Sequence, residues 1–438
     1  MAGPPSEHGG AASATRSWRC LTGAGTESGS AVAATCAYRA TTVFAVVACA
    51  LSPAYVVRWH LGPVPTTLLE VAILLTIGAY LVESLRSGTQ PLWRSAVTPP
   101  ALLFLVVGVI SIVVAPDRRA ALGLYRAYLV EPIAFGFVLF NAVTTARRAV
   151  AVVAGLAAGA AVAGIANAAV VLAALGNRNF DVLSTPPVVI YNTTNAIALY
   201  LVPLIAVAGA IALHWPSRRV RLAATGFLVI GVACVLLSFS RGGYLALAVV
   251  AIGLALSHRH RWPLLIGAAL VAIALLQVPS IGRRVRGELD LHDPRNTLVG
   301  RFQLWSAAWA MLKAHPVFGA GLSGFATRLA PYWNPTHTDR FTYPHNILLN
   351  FWTETGLAGV FTFAWILVAG FVRTWKGWRL APPAWRAVHL GVLLALIAVI
   401  VHGLVDVPYW KNDLSLEFWA LLALAFAPAA SAERTSTT

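Results

Sequence analysis

Tyr343-Pro-His-Asn-Ile-Leu-Leu-Asn350 is the hinge of this sequence. It closes a polar stretch that reaches back to about Val278 and opens an apolar run that continues to Val368. The polar stretch also holds Arg301-Phe-Gln-Leu-Trp305 and His315-Pro-Val-Phe-Gly-Ala-Gly321. Almost everything around it suits lipid. Of 438 residues, 58% are hydrophobic and 11% charged, and the mean hydropathy is +0.73. Soluble domains carry about 25% charged residues, so the fitting class is a polytopic membrane protein. Chemistry is then expected where the polar stretch meets the membrane.

About twelve apolar runs are long enough for a span of roughly 20 residues. Their centres fall near Val47, Leu74, Val106, Phe135, Ala160, Pro203, Val229, Ala248, Ala269, Ala364, Ala395 and Leu422. The expected fold is all-α, with nine spans over 39–277, a long outer loop over 278–343 and three spans over 344–428. The loop is expected to be partly helical. Phe302, Trp305, Ala308, Trp309 and Leu312 recur at helical spacing and predict an amphipathic helix on the outer membrane surface, which is also compatible with packing on the other helices. Residues 1–38 lack a signal-peptide core and read as a disordered cytoplasmic tail, with a short second tail over 429–438. Cys20, Cys36, Cys49 and Cys234 show no metal spacing, and a disulfide or zinc framework is not expected.

Thirty-two basic residues against 16 acidic ones give a net charge of +16. In a soluble protein this would suggest nucleic acid. Here the cations sit between apolar runs, so topology and anionic headgroups account for them and no nucleic-acid partner is expected. One set of short loops carries about thirteen basic residues, from Arg86 to Arg386, and the opposite set about seven. The richer set faces the cytoplasm by the positive-inside rule. Both termini are then cytoplasmic and the long loop faces the periplasm or exterior.

Few residues inside or beside the apolar runs could carry chemistry. Arg241, in Leu236-Leu-Ser-Phe-Ser-Arg-Gly-Gly-Tyr-Leu245, interrupts about 38 otherwise apolar residues. It reads either as an anion site, since guanidinium suits phosphate, or as an arginine snorkelling to headgroups. Gly242 and Gly243 are expected to permit a tight turn there. His345 follows a proline at a helix start and is a candidate proton acceptor or a capping residue. Arg301 precedes the loop helix and could reach the same outer cavity. Arg126 and Glu131, five residues apart, either neutralise each other or line a polar cavity. Asn192 and Asn195 sit at a helix start, where capping is the simpler role. Asp406 and Asp413 could pair with outer arginines. Gly319-Ala-Gly-Leu-Ser-Gly324 matches GxGxxG, but no βαβ unit surrounds it, which argues against nucleotide binding. Asp290, His292 and Asp293 form no larger cluster, and no metal site is expected.

Taken together, several segments resemble the O-antigen ligase/polymerase-like superfamily of membrane glycosyltransferases. Asn192 to Pro203 resembles its Asn-rich helix start. Ser238-Phe-Ser-Arg-Gly-Gly-Tyr-Leu245 resembles its Ser-Arg-Gly-Gly turn. Arg301 to Phe325 resembles its Arg-x-x-x-Trp and His-Pro-x-x-Gly-x-Gly stretch. Pro344-His-Asn-Ile-Leu-Leu, followed by Glu354-Thr-Gly356, resembles its His-Asn-x-x-Leu and Glu-x-Gly motif.

The resemblance implies a metal-independent, cofactor-free, inverting enzyme of the bacterial inner membrane. It would move a glycan from an undecaprenyl-diphosphate carrier to lipid A–core in the ligase branch, or to another lipid-linked glycan in the polymerase branch. By motif match, the diphosphate-binding arginines fall on Arg241 and Arg301 and the essential histidine on His345. Asp406 stands where the family has a functional acid. Arg126, Asn195, Asn346 and Asp406 complete the expected substrate-binding set. A small-anion transporter of bicarbonate type is the competing reading, because twelve spans is a common transporter count. The absence of an internal repeat and the outer placement of the polar residues weigh against it.

Overall fold

The computed structural model describes residues 38–62, 64–177, 185–287, 296–333 and 342–427. The terminal tails expected to be disordered, Cys20, Cys36, Arg178 and the Asp290–Asp293 cluster lie outside those residues.

The chain is an all-α polytopic membrane protein. It opens with α1 (Arg39–Ala50), a 3-10 turn (Ser52–Val56) and a hairpin of β1 (Arg58–Leu61) and β2 (Val64–Thr67). Then come α2 (Leu68–Ser87), α3 (Thr98–Val114), α4 (Arg118–Tyr125), a π turn (Arg126–Val130) and α5 (Glu131–Ala142). Next are α6 (Ala146–Gly176), α7 (Thr194–His214), α8 (Arg218–Leu237), α9 (Arg241–Leu256) and α10 (Arg261–Gln277). The polar stretch holds α11 (Pro279–Arg286), α12 (Thr297–Ala314) and α13 (Phe325–Leu329). The chain closes with α14 (Ile347–Leu380), α15 (Pro383–Gly403) and α16 (Asn412–Phe426). Pairing of β1 with β2 is antiparallel, with Arg58 opposite Thr67. Nothing in the sequence reading anticipated this hairpin.

Each of the twelve expected centres lies in a helix, but fewer helices have spanning length. Among the described residues seven are long and apolar enough to cross a membrane, or eight if α10 and α11, bent by 91°, form one span. The remaining centres fall in α1, α3, α9 and α16, of 12, 17, 16 and 15 residues. At 1.5 Å per residue these fall short of a hydrocarbon core about 30 Å thick. The expected spans outnumber the helices of full spanning length because apolar composition runs on through positions where helices stop. Between Arg218 and Leu256 the apolar run is divided at Ser238–Ser240, where Ser240 caps α9 by accepting the Gly243 N–H at 3.2 Å.

Helix α7 is the axis of the bundle. In its most apolar 18-residue window 89% of residues are buried, against 17% in α8. A helix apolar all round belongs inside protein, and one with a bare apolar surface belongs against lipid. α15 is the next most enclosed span and packs on α7, α9 and α14.

Helix α14 is 34 residues long because two helices meet at a kink. Gly356 sits there at φ +69°, and a Cβ would lie 2.3 Å from the Val317 carbonyl oxygen. The 315–321 loop docks into this break. Leu357 N–H donates to the Val317 carbonyl at 3.0 Å, and Ala320 N–H to the Thr353 carbonyl at 2.6 Å. The polar loop is thereby fastened to a spanning helix.

The loop helix forms as expected at α12, with a different buried face. Leu304, Ala307, Ala308, Met311 and Leu312 are buried, while Phe302 and Trp309 stay about half exposed. One face of this helix therefore packs on protein, and the other is exposed.

Candidate active site

The site gathers on Asp406, in the connection between α15 and α16. Its side chain is 2% exposed. Asn195, in the first turn of α7, donates from Nδ2 to Asp406 Oδ2 at 2.8 Å. His345 Nδ1 lies 3.2 Å from Oδ1, and the Val407 N–H donates to the same oxygen at 2.9 Å. Arg301, from α12, brings Nη2 to 4.0 Å of Oδ2. Three segments distant in sequence thus converge on one carboxylate.

Burial by itself would raise the Asp406 carboxyl. The hydrogen bond and charge of His345, with the charges of Arg301 and His402, outweigh burial and hold the group well below the usual carboxylate range. An ionised carboxylate only accepts hydrogen bonds. His345 Nδ1 therefore donates, and Nε2 is the nitrogen able to take a proton.

Local backbone holds the imidazole in place. His345 adopts φ +47°, a left-handed conformation uncommon outside glycine. Asn346 caps α14 by accepting the Leu349 N–H at 3.0 Å, and its Nδ2 donates to the Leu404 carbonyl at 2.9 Å. Trp305, one turn after Arg301, donates from Nε1 to the Pro344 carbonyl at 2.8 Å. The Tyr343 ring lies 4.5 Å from the imidazole, centre to centre. Burial first, then the Asp406 charge, push the Tyr343 phenol above its ordinary value, so it stays neutral.

Arg241 is the first residue of α9. Its Nη1 donates to Thr297 Oγ1 at 2.7 Å, one turn before Arg301 on α12, and its Nε to the Arg284 carbonyl at 3.3 Å. The buried Arg284 donates in turn to the Phe239 carbonyl at 3.4 Å. The glycines after Arg241 act differently from the expectation. The left-handed residue of the turn is Phe239, at φ +52°, whereas Gly242 and Gly243 lie in the first helical turn. A Cβ on Gly242 would meet His402 Cδ2 at 2.8 Å, and one on Gly243 would meet the Ala198 Cβ at 2.5 Å. These glycines let α9 press against α15 and α7, which brings Arg241 to the same end of the bundle as Asp406.

Arg126 goes elsewhere. It pairs with Glu70 at 2.6 Å and Glu131 at 3.3 Å, and donates to the Pro65 carbonyl at 2.8 Å. Of the two alternatives in the sequence, mutual neutralisation is the one realised, with Glu70 as an added partner. Asp413 is buried, and its Oδ1 accepts the Leu414 N–H at 3.0 Å. Arg284 and His402 were missed. Arg284 is one of three arginines on an exposed-looking amphipathic turn, and His402 ends an apolar helix. Nothing local marks either as adjacent to the site.

An apolar cavity of about 720 Å³ runs from Arg241 and Tyr244 between α8, α9 and α10. A second cavity, of about 540 Å³, lies on the Tyr343 side.

Residues 226–364 match the family described as O-antigen ligase. This segment is similar to an O-antigen ligase domain, which supports the superfamily that the motifs resemble. It runs from α8 into α14 and includes Arg241, Arg301 and His345. Asn195 and Asp406, which complete the convergence, lie outside it. A search of curated proteins gave no match.

Proposed function

We propose that this protein transfers a glycan from an undecaprenyl-diphosphate carrier to an acceptor hydroxyl, in the manner of an O-antigen ligase with lipid A–core as acceptor. The observation that carries this reading is the convergence of Asn195, Arg301 and His345 on the Asp406 carboxylate.

In this reading His345 Nε2 takes the proton of the acceptor hydroxyl. The oxygen attacks the anomeric carbon in line, with inversion. The bond from that carbon to the diphosphate oxygen breaks, and its electron pair leaves with the diphosphate. Arg241 and Arg301 stabilise the charge that develops there. Proton acceptance contributes about 10²–10⁴-fold. The apolar cavity beginning at Arg241 suits the isoprenoid tail, with its phosphates held near the arginines.

Membrane orientation follows the charge pattern. Asn195, Arg241 and His345 sit at helix starts and Asp406 after a helix end, so all belong to one end of the bundle. The Arg-rich connections around 218–221, 259–261 and 373–386 join the opposite ends of the same helices. The positive-inside rule puts those connections in the cytoplasm and the site on the outer face.

The test is transfer by purified protein in detergent with EDTA, using an undecaprenyl-diphosphate glycan with and without lipid A–core. Transfer to lipid A–core, lost in His345→Ala and Arg241→Ala, supports the ligase reading. Chain extension without added acceptor replaces it by a polymerase. Full turnover in folded His345→Ala overturns the proton-acceptor role.

A further inference from the structure

The 540 Å³ cavity has a different chemistry from the apolar one. Tyr55, Tyr128, Tyr343 and Trp410 line it, together with Arg58 and Lys411. Its volume is within the range of small-ligand sites, about 300–1,000 Å³. It shares a wall with the site, because the Tyr343 ring lies tilted against that of His345 and Trp410 follows Asp406 by four positions.

Two of its polar groups lack a hydrogen-bond partner among the described residues. Asn350, 1% exposed, has Oδ1 unpaired, and Trp410 has Nε1 unpaired. Both residues line the cavity. One acceptor and one donor, buried and unmatched, suit a ligand carrying hydroxyls. Glu354, also in the wall, accepts the Ser323 N–H at 2.6 Å.

The cations are held by rings. The Arg58 guanidinium lies 5.9 Å from the Tyr55 ring centre, and the Lys411 ammonium 5.7 Å from that of Tyr191. Neither lies within ion-pair distance of a carboxylate among the described residues, and Lys411 acts at longer range on the buried Asp413. Arg58 is placed by the β1–β2 hairpin and Lys411 by the connection that carries Asp406.

We infer that this cavity binds the acceptor as an anionic, hydroxyl-rich glycan, with sugar faces on the aromatic rings and its phosphate or carboxylate groups at Arg58 and Lys411. The acceptor role rests on the transfer reading above. The binding chemistry rests on the cavity itself. Two cavities then flank the Asp406 hub, an apolar one for a lipid tail and an aromatic, cationic one for a sugar.

The test is calorimetric binding of phosphate-bearing core oligosaccharide, stripped of lipid A, to the full-length protein in detergent. Removing the acyl chains keeps the probe out of the apolar cavity. The expected result is binding by the wild type, weakened about tenfold when the probe is dephosphorylated. Arg58→Gln and Lys411→Gln should each weaken only the phosphorylated probe, whereas Trp410→Phe should weaken both forms. Arg58 is exposed on the hairpin, so its variant is informative even if Lys411→Gln misfolds. No binding by the wild type, or undiminished binding by folded Arg58→Gln and Lys411→Gln, overturns the inference. Binding without transfer in the assay above would sink the transfer reading and leave the glycan site standing. Transfer without oligosaccharide binding would do the reverse.

Discussion

His345 Nδ1 lies 3.2 Å from Asp406 Oδ1, 61 positions further along the chain. The pair joins a residue inside the matched O-antigen ligase segment to one outside it. Asp406 also holds Asn195 and faces Arg301, so it orients the proposed base while balancing the cations around it. A carboxylate so placed fixes the imidazole tautomer, as in other sites where an acid orients a histidine.

Asp406→Asn keeps the size and loses the charge. Transfer should fall about 10²-fold or more, with donor KM little changed, because the tautomer and orientation of His345 are lost. Single-turnover rates at saturating donor check this. An unchanged rate in folded protein would remove Asp406 from the mechanism.

Asp406 also makes stability depend on pH. Its folded value is depressed below the ordinary 3.8, so the stabilisation is fully present above that value and is lost as pH falls toward the folded one. Thermal midpoints of wild type and Asp406→Asn, measured from pH 6 downward, should converge below about pH 4. A gap that widens on acidification contradicts the assignment.

Gly243→Ala tests why glycine follows Arg241. The new Cβ would lie 2.5 Å from the Ala198 Cβ, so α9 and α7 must separate. Overpacking of this kind costs about 1–3 kcal/mol. A lower thermal midpoint and weaker donor binding are expected, since Arg241 moves with its helix. A midpoint equal to wild type would show that the contact between α9 and α7 does not need the glycine.

Arg126→Ala should act on stability more than on transfer. It leaves Glu70 and Glu131 buried beside each other without their cation. Because Arg126 is about a third exposed, screening limits the cost to roughly 1–3 kcal/mol. Turnover per folded molecule is the discriminating measurement, and a selective loss of donor binding would support a substrate-binding role for Arg126.

The positions of the helices were legible because lipid imposes a one-dimensional rule: a run must be apolar and continuous. That rule placed a helix at each of the twelve centres, including Pro203 inside α7. It could not tell spanning helices from short ones, because α9 starts at a serine cap within an apolar run. Nor could it see the β1–β2 hairpin, whose Arg58-Trp-His-Leu61 has no strong alternation.

For the site, chemical type was readable and partnership was not. Arg241, Arg301 and His345 stand out in sequence as polar residues at the edges of apolar runs, and the order of their motifs carries the resemblance to the superfamily. That Asn195 and Asp406, 211 positions apart, share a hydrogen bond is a product of packing α7 against α15. So are the capture of Arg126 by Glu70, the role of Gly242 and Gly243 as contact points, and the nearness of Arg284 to Arg241. Sequence by itself determined where the apolar helices form and which polar residue types stand at their ends, since both depend on local hydrophobicity. Tertiary structure decided which of those residues meet, because a hydrogen bond needs atoms about 3 Å apart and only the close packing of whole helices sets that distance.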